Sequence, residues 1–136
     1  MKRISYKGGY KYQLVEPISL LTNICPGEDI LTEYTDLYYD GHMIIRAGYA
    51  WDGPSGPTID TKNFMRGSLV HDALYGLMRQ GKLLRSRRED ADMLLKQICR
   101  EDGMSRIRAW WVYKGVRMGG GKSVLKSSMK KVRHAP

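Results

Sequence analysis

The chain has 136 residues, of which 42% are hydrophobic and 27% charged, and its formal net charge is +9. This composition is typical of one globular domain and excludes disordered and fibrous proteins. No apolar run reaches the roughly 18 residues that span a bilayer, and the charged N-terminus is followed by no apolar segment. We therefore expect no transmembrane segment and no secretion through a signal peptide.

The first half of the chain predicts antiparallel β-structure. Apolar and polar residues alternate over Tyr10–Glu16, and Ile18–Leu21 forms a second short apolar run. Thr35–Tyr39 and His42–Ala47 flank an Asp40-Gly41 pair, which favours a two-residue type I′ hairpin turn. Residues 48–57 are so rich in glycine and proline that we expect a loop without helix or strand.

Three helices are predicted after this Gly/Pro loop, because apolar spacing, capping residues and glycine stops recur there. The first helix is expected to run from a cap at Asp60 or Thr61 to Gln80 and to stop at Gly81. The second begins with a capping box at Ser86 and ends at Gly103. The third begins after a cap at Ser105 and ends at about Met118. The fold class is therefore α+β: a small N-terminal antiparallel β-region packed on two to three helices, with the Gly/Pro loop over the first helix. We expect one domain over residues 1–121 and a basic tail over residues 122–136.

The charge is unevenly distributed along the chain. All 14 acidic residues lie within residues 1–102, together with 14 lysines and arginines, and the last 34 residues carry the other basic residues and no acid. Such a cationic segment can bind the phosphates of DNA, an anionic lipid or an acidic protein. The alternative is a solvated tail without a partner. The candidate contact residues are Lys122, Lys126, Lys130, Lys131 and Arg133.

The cysteines and the aromatic residues suggest structural roles. Because no signal peptide is expected, two reduced thiols at Cys25 and Cys99 are favoured, with one disulfide between them as the alternative. The run Trp110-Trp111-Val112-Tyr113 spreads over more than one face of a helix. We expect it mainly to pack in the core, with an interface or a lipid surface as the alternative.

The candidate chemistry lies on the first two helices. His71 and Tyr75 are four residues apart on the first helix, and Asp92 shares the apolar side of the second helix with Leu95 and Cys99. Two antiparallel helices would bring Asp92 up to His71, and a carboxylate that holds one imidazole nitrogen makes the other a competent general base. The alternative is a buried polar network that only ties the helices together.

As a set, three motifs resemble a family found mainly in phages and prophages, catalogued as domain of unknown function 1353. The resemblance covers roughly residues 10–120. It rests on Gly48-Tyr49-x-x-Asp52-x-x-Ser55-x-Pro57, His71-Asp72-x-Leu74-Tyr75 and Ser86-Arg87-x-x-x-Ala91-Asp92. This resemblance implies a phage or prophage origin and assigns no activity.

The order of glycine-bearing loop, HD-x-x-Y helix and AD helix is also distantly similar to phospholipase A2. That similarity implies His71 as the base that takes a proton from water, Asp92 as its orienting carboxylate and Tyr75 as a supporting hydrogen-bond donor. It also implies a Ca²⁺ ion held by Asp72 and by backbone carbonyls near Trp51, Gly53 and Gly56.

These resemblances lead to three functional hypotheses. The first is a virion-associated (head-tail or tail) or accessory phage protein whose His-Asp site would hydrolyse lipid esters with Ca²⁺. Its expected location is the host cytoplasm or the virion, beside other phage structural proteins. The second is a structural adaptor without catalysis, which uses the same His/Asp residues as a buried network. The third is a DNA-contacting protein that uses the basic C-terminus.

Overall fold

The computed structural model describes residues 6–7, 12–51 and 62–125. These residues belong to two compact units, which we call the strand unit (residues 6–7 and 12–51) and the helical unit (residues 62–125). Antiparallel strands come first and helices follow, so the predicted α+β class is confirmed. The prediction of one domain over residues 1–121, with strands packed on helices, stays a prediction.

The strand unit contains seven short strands in two antiparallel sheets. They are β1 (Tyr6–Lys7), β2 (Tyr12–Leu14), β3 (Ile18–Leu21), β4 (Ile30–Leu31), β5 (Thr35–Leu37), β6 (His42–Ile45) and β7 (Ala50–Trp51). One sheet has the order β1-β2-β7 and the other the order β3-β6-β5-β4. In the larger sheet Leu20 pairs with Met43 and Met43 with Leu37, and all three are buried. Apolar residues at paired positions therefore form the core of this sheet.

The predicted hairpin is present, but its turn differs by one residue from the expected one. The backbone amide of Gly41 donates to the Tyr38 carbonyl at 2.9 Å, and the Tyr38 amide donates to the His42 carbonyl at 2.8 Å. The loop therefore has three residues, with Gly41 at a φ of +95°. Glycine is also required for space, because a Cβ atom at this position would lie 2.3 Å from the Thr22 carbonyl oxygen.

The Gly/Pro loop is shorter than expected. Ala50 and Trp51 form strand β7, in which Trp51 pairs with Tyr12 of β2, so the prediction that residues 48–57 contain no strand is wrong. The reason is tertiary, because the ring of Trp51 is buried and packs against the Tyr12 ring at 5.6 Å between centroids. The rest of the loop and its expected place over the first helix lie outside the described residues.

The helical unit contains three helices: α1 (Lys62–Arg79), α2 (Arg88–Glu101) and α3 (Arg106–Gly119). Gly81 follows α1 with a φ of +73°, as predicted, and the Ser105 hydroxyl caps α3 by accepting from the Arg108 amide at 3.2 Å. The expected cap of α1 at Asp60 or Thr61 lies outside the described residues.

The capping box predicted for α2 is wrong. Ser86 lies in a 3₁₀ turn over Arg85–Arg87, and α2 begins two residues later, with Arg87 at the N-cap position and no side-chain cap. Glu89 and Asp90 in the first turn instead place negative charge at the positive end of the helix dipole. The local charge pattern therefore replaces the predicted side-chain cap.

Helices α1 and α2 run antiparallel and approach closely at Gly67. A Cβ atom there would lie 2.9 Å from the Cys99 Sγ atom and 3.0 Å from Leu95 Cδ1, so only glycine allows this separation. An apolar core fills the space between the three helices; its buried members are Phe64, Leu95, Cys99, Met104, Ala109 and Val112. None of the described helices is long and apolar enough to cross a membrane.

Both cysteines lie within the described residues. Cys25 is free and exposed, and Cys99 is free and buried. Burial raises the pKa of the Cys99 thiol to about 12. Cys99 is therefore a neutral packing residue of the helical core rather than a nucleophile.

Candidate active site

Asp92 of α2 is the centre of the candidate site. Its side chain is fully buried, at 0% exposure, and accepts hydrogen bonds at both oxygens. The Oδ1 atom lies 2.5 Å from the Tyr75 hydroxyl and 2.7 Å from His71 Nε2, and Oδ2 lies 2.9 Å from Arg117 Nη1. Helices α1 and α3 thus supply donors to one carboxylate of α2, which is how a buried charge is stabilised.

A second arginine, Arg88, lies one turn before Asp92 on α2. Its Nε atom is 3.8 Å from Asp92 Oδ2 and donates to the Tyr75 hydroxyl at 3.3 Å. Its Nη2 atom donates to the backbone carbonyls of Val116 and Arg117 at 3.2 and 2.7 Å. The Val116 carbonyl also accepts from the Gly120 amide at 2.8 Å. Arg88 thus adds a side-chain donor at the end of α3, where carbonyls lack helical partners, and holds the backbone of Arg117 in place.

Gly120, directly after α3, allows this arrangement sterically. A Cβ atom there would lie 2.6 Å from the Tyr75 hydroxyl oxygen, and no side chain fits at that distance. The glycine run that ends α3 therefore also makes room for the phenol ring that donates to Asp92.

Electrostatics fixes the protonation of the network. Burial alone would raise the pKa of Asp92, but the hydrogen bonds from His71, Tyr75 and Arg117 outweigh it and hold this pKa below its usual value. Burial has the largest effect on the pKa of Tyr75 and raises it, and the hydrogen bond to Asp92 raises it further. At neutral pH Asp92 is therefore a carboxylate that can only accept, so His71 must carry its hydrogen on Nε2.

The other imidazole nitrogen is the reactive candidate. In the described part of the chain, Nδ1 of His71 makes no hydrogen bond, and 13% of the side chain remains exposed. The ring is held beside the Tyr75 ring, with 4.1 Å between centroids. A neutral imidazole in this tautomer presents the lone pair of Nδ1, so the arrangement can accept a proton there.

With this geometry described, the chain can be compared with known proteins. Residues 32–116 match the model of a family described as protein of unknown function (DUF1353), which is more than half of the chain. The chain belongs to the DUF1353 family. It matched no curated protein and no solved structure. Family membership therefore confirms the resemblance seen in the sequence and leaves the activity open.

The matched range contains His71, Tyr75, Arg88 and Asp92. Arg117 lies one residue after the end of this range. The expected juxtaposition of His71, Tyr75 and Asp92 is present. Their catalytic roles stay predictions.

The predicted calcium ligands are described only in part. Asp72 lies next to His71 on α1 and is half-buried, whereas Trp51 lies in the strand unit. Gly53 and Gly56 lie outside the described residues. Among the residues that the structure describes, no cluster of three or more His, Cys, Asp or Glu side chains is arranged to hold a metal ion. Because Ca²⁺ takes six to eight oxygen ligands, Asp72 alone does not form such a site.

Most candidate contact residues of the basic tail lie beyond the part of the chain that the structure describes. Lys126, Lys130, Lys131 and Arg133 lie outside the described residues, and Lys122 belongs to a 3₁₀ turn over Gly121–Val124. Contact between this tail and DNA, an acidic partner or anionic lipid stays a prediction.

Sequence reasoning missed the two arginines of the site. Arg88 could have been found, because it lies four residues before Asp92 on the same helix and such pairs face each other. Arg117 had no such signal, since its contact with Asp92 spans 25 residues and depends on how α3 packs on α2.

Proposed function

We propose that this DUF1353 protein is a phage-encoded accessory or virion-associated protein whose His71–Asp92 pair hydrolyses lipid esters. The observation that carries the proposal is the 2.7 Å contact between His71 Nε2 and a fully buried, ionised Asp92. The phage setting rests on where the family is found, and the ester substrate rests on the similarity to phospholipase A2. Other phage structural proteins in the head-tail or tail region are the proposed partners, and the host cytoplasm and the virion the proposed locations.

The proposed step is general-base hydrolysis. His71 Nδ1 takes a proton from a water molecule, and the water oxygen forms a bond to the ester carbonyl carbon while the carbonyl π electrons move to its oxygen. Asp92 stabilises the imidazolium cation that results and keeps Nε2–H in place, as Tyr75 and Arg117 keep the carboxylate in place. When the tetrahedral intermediate collapses, the bond to the alcohol oxygen breaks and His71 returns the proton to that oxygen.

Calcium is a further part of the proposal. A bound Ca²⁺ ion would stabilise the negative charge on the attacked ester oxygen. Asp72 is the candidate ligand within the described residues. The proposed carbonyl ligands of Gly53 and Gly56 lie outside the described residues. The steps above therefore use only the side chains of the chain itself, and calcium enters the test as a condition.

The second candidate is a structural adaptor without catalysis. One observation favours it: Asp92 of α2 accepts hydrogen bonds from α1 and α3, which is also how a buried polar network fixes helix packing. In that case His71→Gln would leave the free energy of unfolding unchanged, because the glutamine amide can also donate a hydrogen bond to Asp92.

The test is hydrolysis of a soluble short-chain phospholipid ester by wild type, His71→Gln and His42→Gln, each with Ca²⁺ and with a chelator. We expect His71→Gln to lose about 10²–10⁴-fold in rate, because it cannot take the proton. His42 is the matched control, since it is an exposed histidine that also binds an aspartate, Asp40, at 2.8 Å. Equal rates in folded wild type and His71→Gln, or no hydrolysis by either, would refute the hydrolase proposal and leave the adaptor.

A further inference from the structure

A groove of about 640 Å³ lies on the helical unit, and neither Asp92 nor His71 lines it. Two elements line it, α2 and α3. The lining residues are Lys96, Arg100, Arg106, Ile107, Trp110 and Trp111. Three of them are cations and three are apolar, and none is acidic. The surface therefore combines positive charge with apolar area.

The apolar part continues along α3 as an exposed stripe. Ile107 is 73% exposed, Trp110 46%, Trp111 64% and Met118 85%. The spacing of these positions places them on one face of a helix, opposite the buried residues of α3 at 109 and 112. Of the run predicted to pack mainly in the core, Val112 is buried and the two tryptophans are exposed, because α3 buries its other face.

Exposed tryptophan and aliphatic side chains in one stripe mark a binding surface rather than ordinary surface variation. The two indole rings meet edge to face, with 5.2 Å between centroids. The Lys114 Nζ atom lies 5.7 Å from the Trp110 ring centroid. A lysine therefore borders the stripe and extends the positive rim beyond the groove.

We propose that this face, defined by the groove and the α3 stripe, docks on an anionic lipid membrane. Aliphatic and indole side chains partition into the interface between headgroups and acyl chains, and flanking lysines and arginines bind anionic headgroups. Helix α3 has this composition, because it carries arginines and a lysine and no acidic residue.

Two other occupants fit less well. Single-stranded nucleic acid would use the cations and the indole rings, but Ile107 and Met118 offer neither stacking nor phosphate contacts. A second copy in a two-fold dimer would bring Lys96, Arg100 and Arg106 of one chain near the same cations of the other. The combination of aliphatic residues and unopposed cations therefore favours lipid.

Docking does not depend on the proposed hydrolysis, since the groove and the stripe share no residue with the His71–Asp92 pair. His71→Gln is thus expected to bind vesicles as wild type does. Conversely, a variant impaired in docking should hydrolyse a soluble short-chain ester at the wild-type rate, if hydrolysis occurs. Failure of one proposal is therefore distinguishable from failure of the other.

The test is co-sedimentation with phosphatidylcholine vesicles that contain or lack phosphatidylserine, followed also by the shift in tryptophan emission. We expect binding to the anionic vesicles, weakened on the order of 10- to 30-fold in Lys96→Gln/Arg106→Gln. Trp110→Ser/Trp111→Ser should lose binding at least 10-fold. Leu84→Ser is the matched control, because Leu84 is 73% exposed in the helical unit and lies outside both the groove and α3.

Thermal unfolding checks that each variant is folded. We expect every variant to fold, because all the substituted side chains are exposed or at the surface. Equal binding by folded wild type and variants, or no binding of wild type to anionic vesicles, would overturn the proposal. Binding of a single-stranded oligonucleotide that depends on both tryptophans, without vesicle binding, would also overturn it and identify nucleic acid as the occupant.

Discussion

Asp92→Ala is expected to lower the free energy of unfolding by about 3–5 kcal/mol. The carboxylate is fully buried, and its loss leaves His71, Tyr75 and Arg117 without their shared acceptor. Arg117 would then lose its directly bonded counter-charge, which is more costly than a missing neutral hydrogen bond. Urea unfolding of wild type and variant measures this difference.

Asp90→Ala is the matched control for Asp92. Asp90 lies on the same helix and pairs with Arg87 at 3.4 Å, but at the surface, so its loss should cost less than about 1 kcal/mol. Equal effects of the two substitutions would contradict the network.

The pH dependence gives an independent check on Asp92. Because folding lowers the pKa of Asp92, the carboxylate contributes stability that is fully present above the unfolded pKa and is lost as the pH falls through the folded pKa. The difference in unfolding free energy between wild type and Asp92→Asn should therefore be constant near neutral pH and narrow below about pH 4. A difference that stayed constant in acid would mean that Asp92 is not ionised in the folded protein.

The second large effect is expected for Arg66→Met, at about 3–5 kcal/mol. Arg66 of α1 is buried and reaches across to the end of α2, where Nε and Nη2 each lie 3.0 Å from an oxygen of Asp102. Its Nη2 atom also binds Glu101 at 3.1 Å. Methionine fills the volume but leaves the buried Asp102 carboxylate unpaired, and urea unfolding measures the loss.

A double-variant cycle separates this ion pair from packing. Arg66→Met/Asp102→Asn leaves no buried unpaired charge, since Glu101 is half-exposed, so it should be more stable than Arg66→Met alone. Arg85→Met is the matched control, because Arg85 is exposed and its loss should change stability by no more than about 0.5 kcal/mol. A double variant less stable than the single one would indicate that Arg66 acts through packing alone.

The part of the site that lies on α1 and α2 could be predicted because helical periodicity is local. His71 and Tyr75 share a face by their spacing, and Asp92 lies among apolar positions of its own helix. An antiparallel pair then needs only a short connection to align them. Arg117 could not be predicted, since its position depends on the packing of α3 and on the contacts of Arg88 with the α3 carbonyls.

The errors in the predicted fold have a similar cause. The Asp40-Gly41 pair indicated a turn, but the sequence did not reveal that Gly41 would serve as the third loop residue and contact Thr22, which directly follows β3. The run 110–113 spreads over more than one face of α3, so the sequence does not decide which of its members are buried. The packing of α3 buries Val112 and exposes both tryptophans. The sequence pattern thus identifies the helices and strands, whereas long-range contacts decide the strand register and which side chains are exposed.

The network around Asp92 is compatible with both a structural and a catalytic role, and the two roles differ in what His71 contributes. A structural role needs only a donor to Asp92, which glutamine also supplies. A catalytic role needs the second nitrogen of the ring to be unprotonated and accessible. The tautomer of His71 is therefore the property on which the account depends.

The most direct measurement is the ¹⁵N–¹H correlation spectrum of the His71 ring, recorded at a pH at which the imidazole is neutral. Donation from Nε2 to Asp92 predicts the Nε2–H tautomer with an unprotonated Nδ1, and Asp92→Asn should alter the Nε2–H signal. A predominant Nδ1–H tautomer in wild type would contradict the account, because Nδ1 would then have no lone pair with which to accept a proton from water.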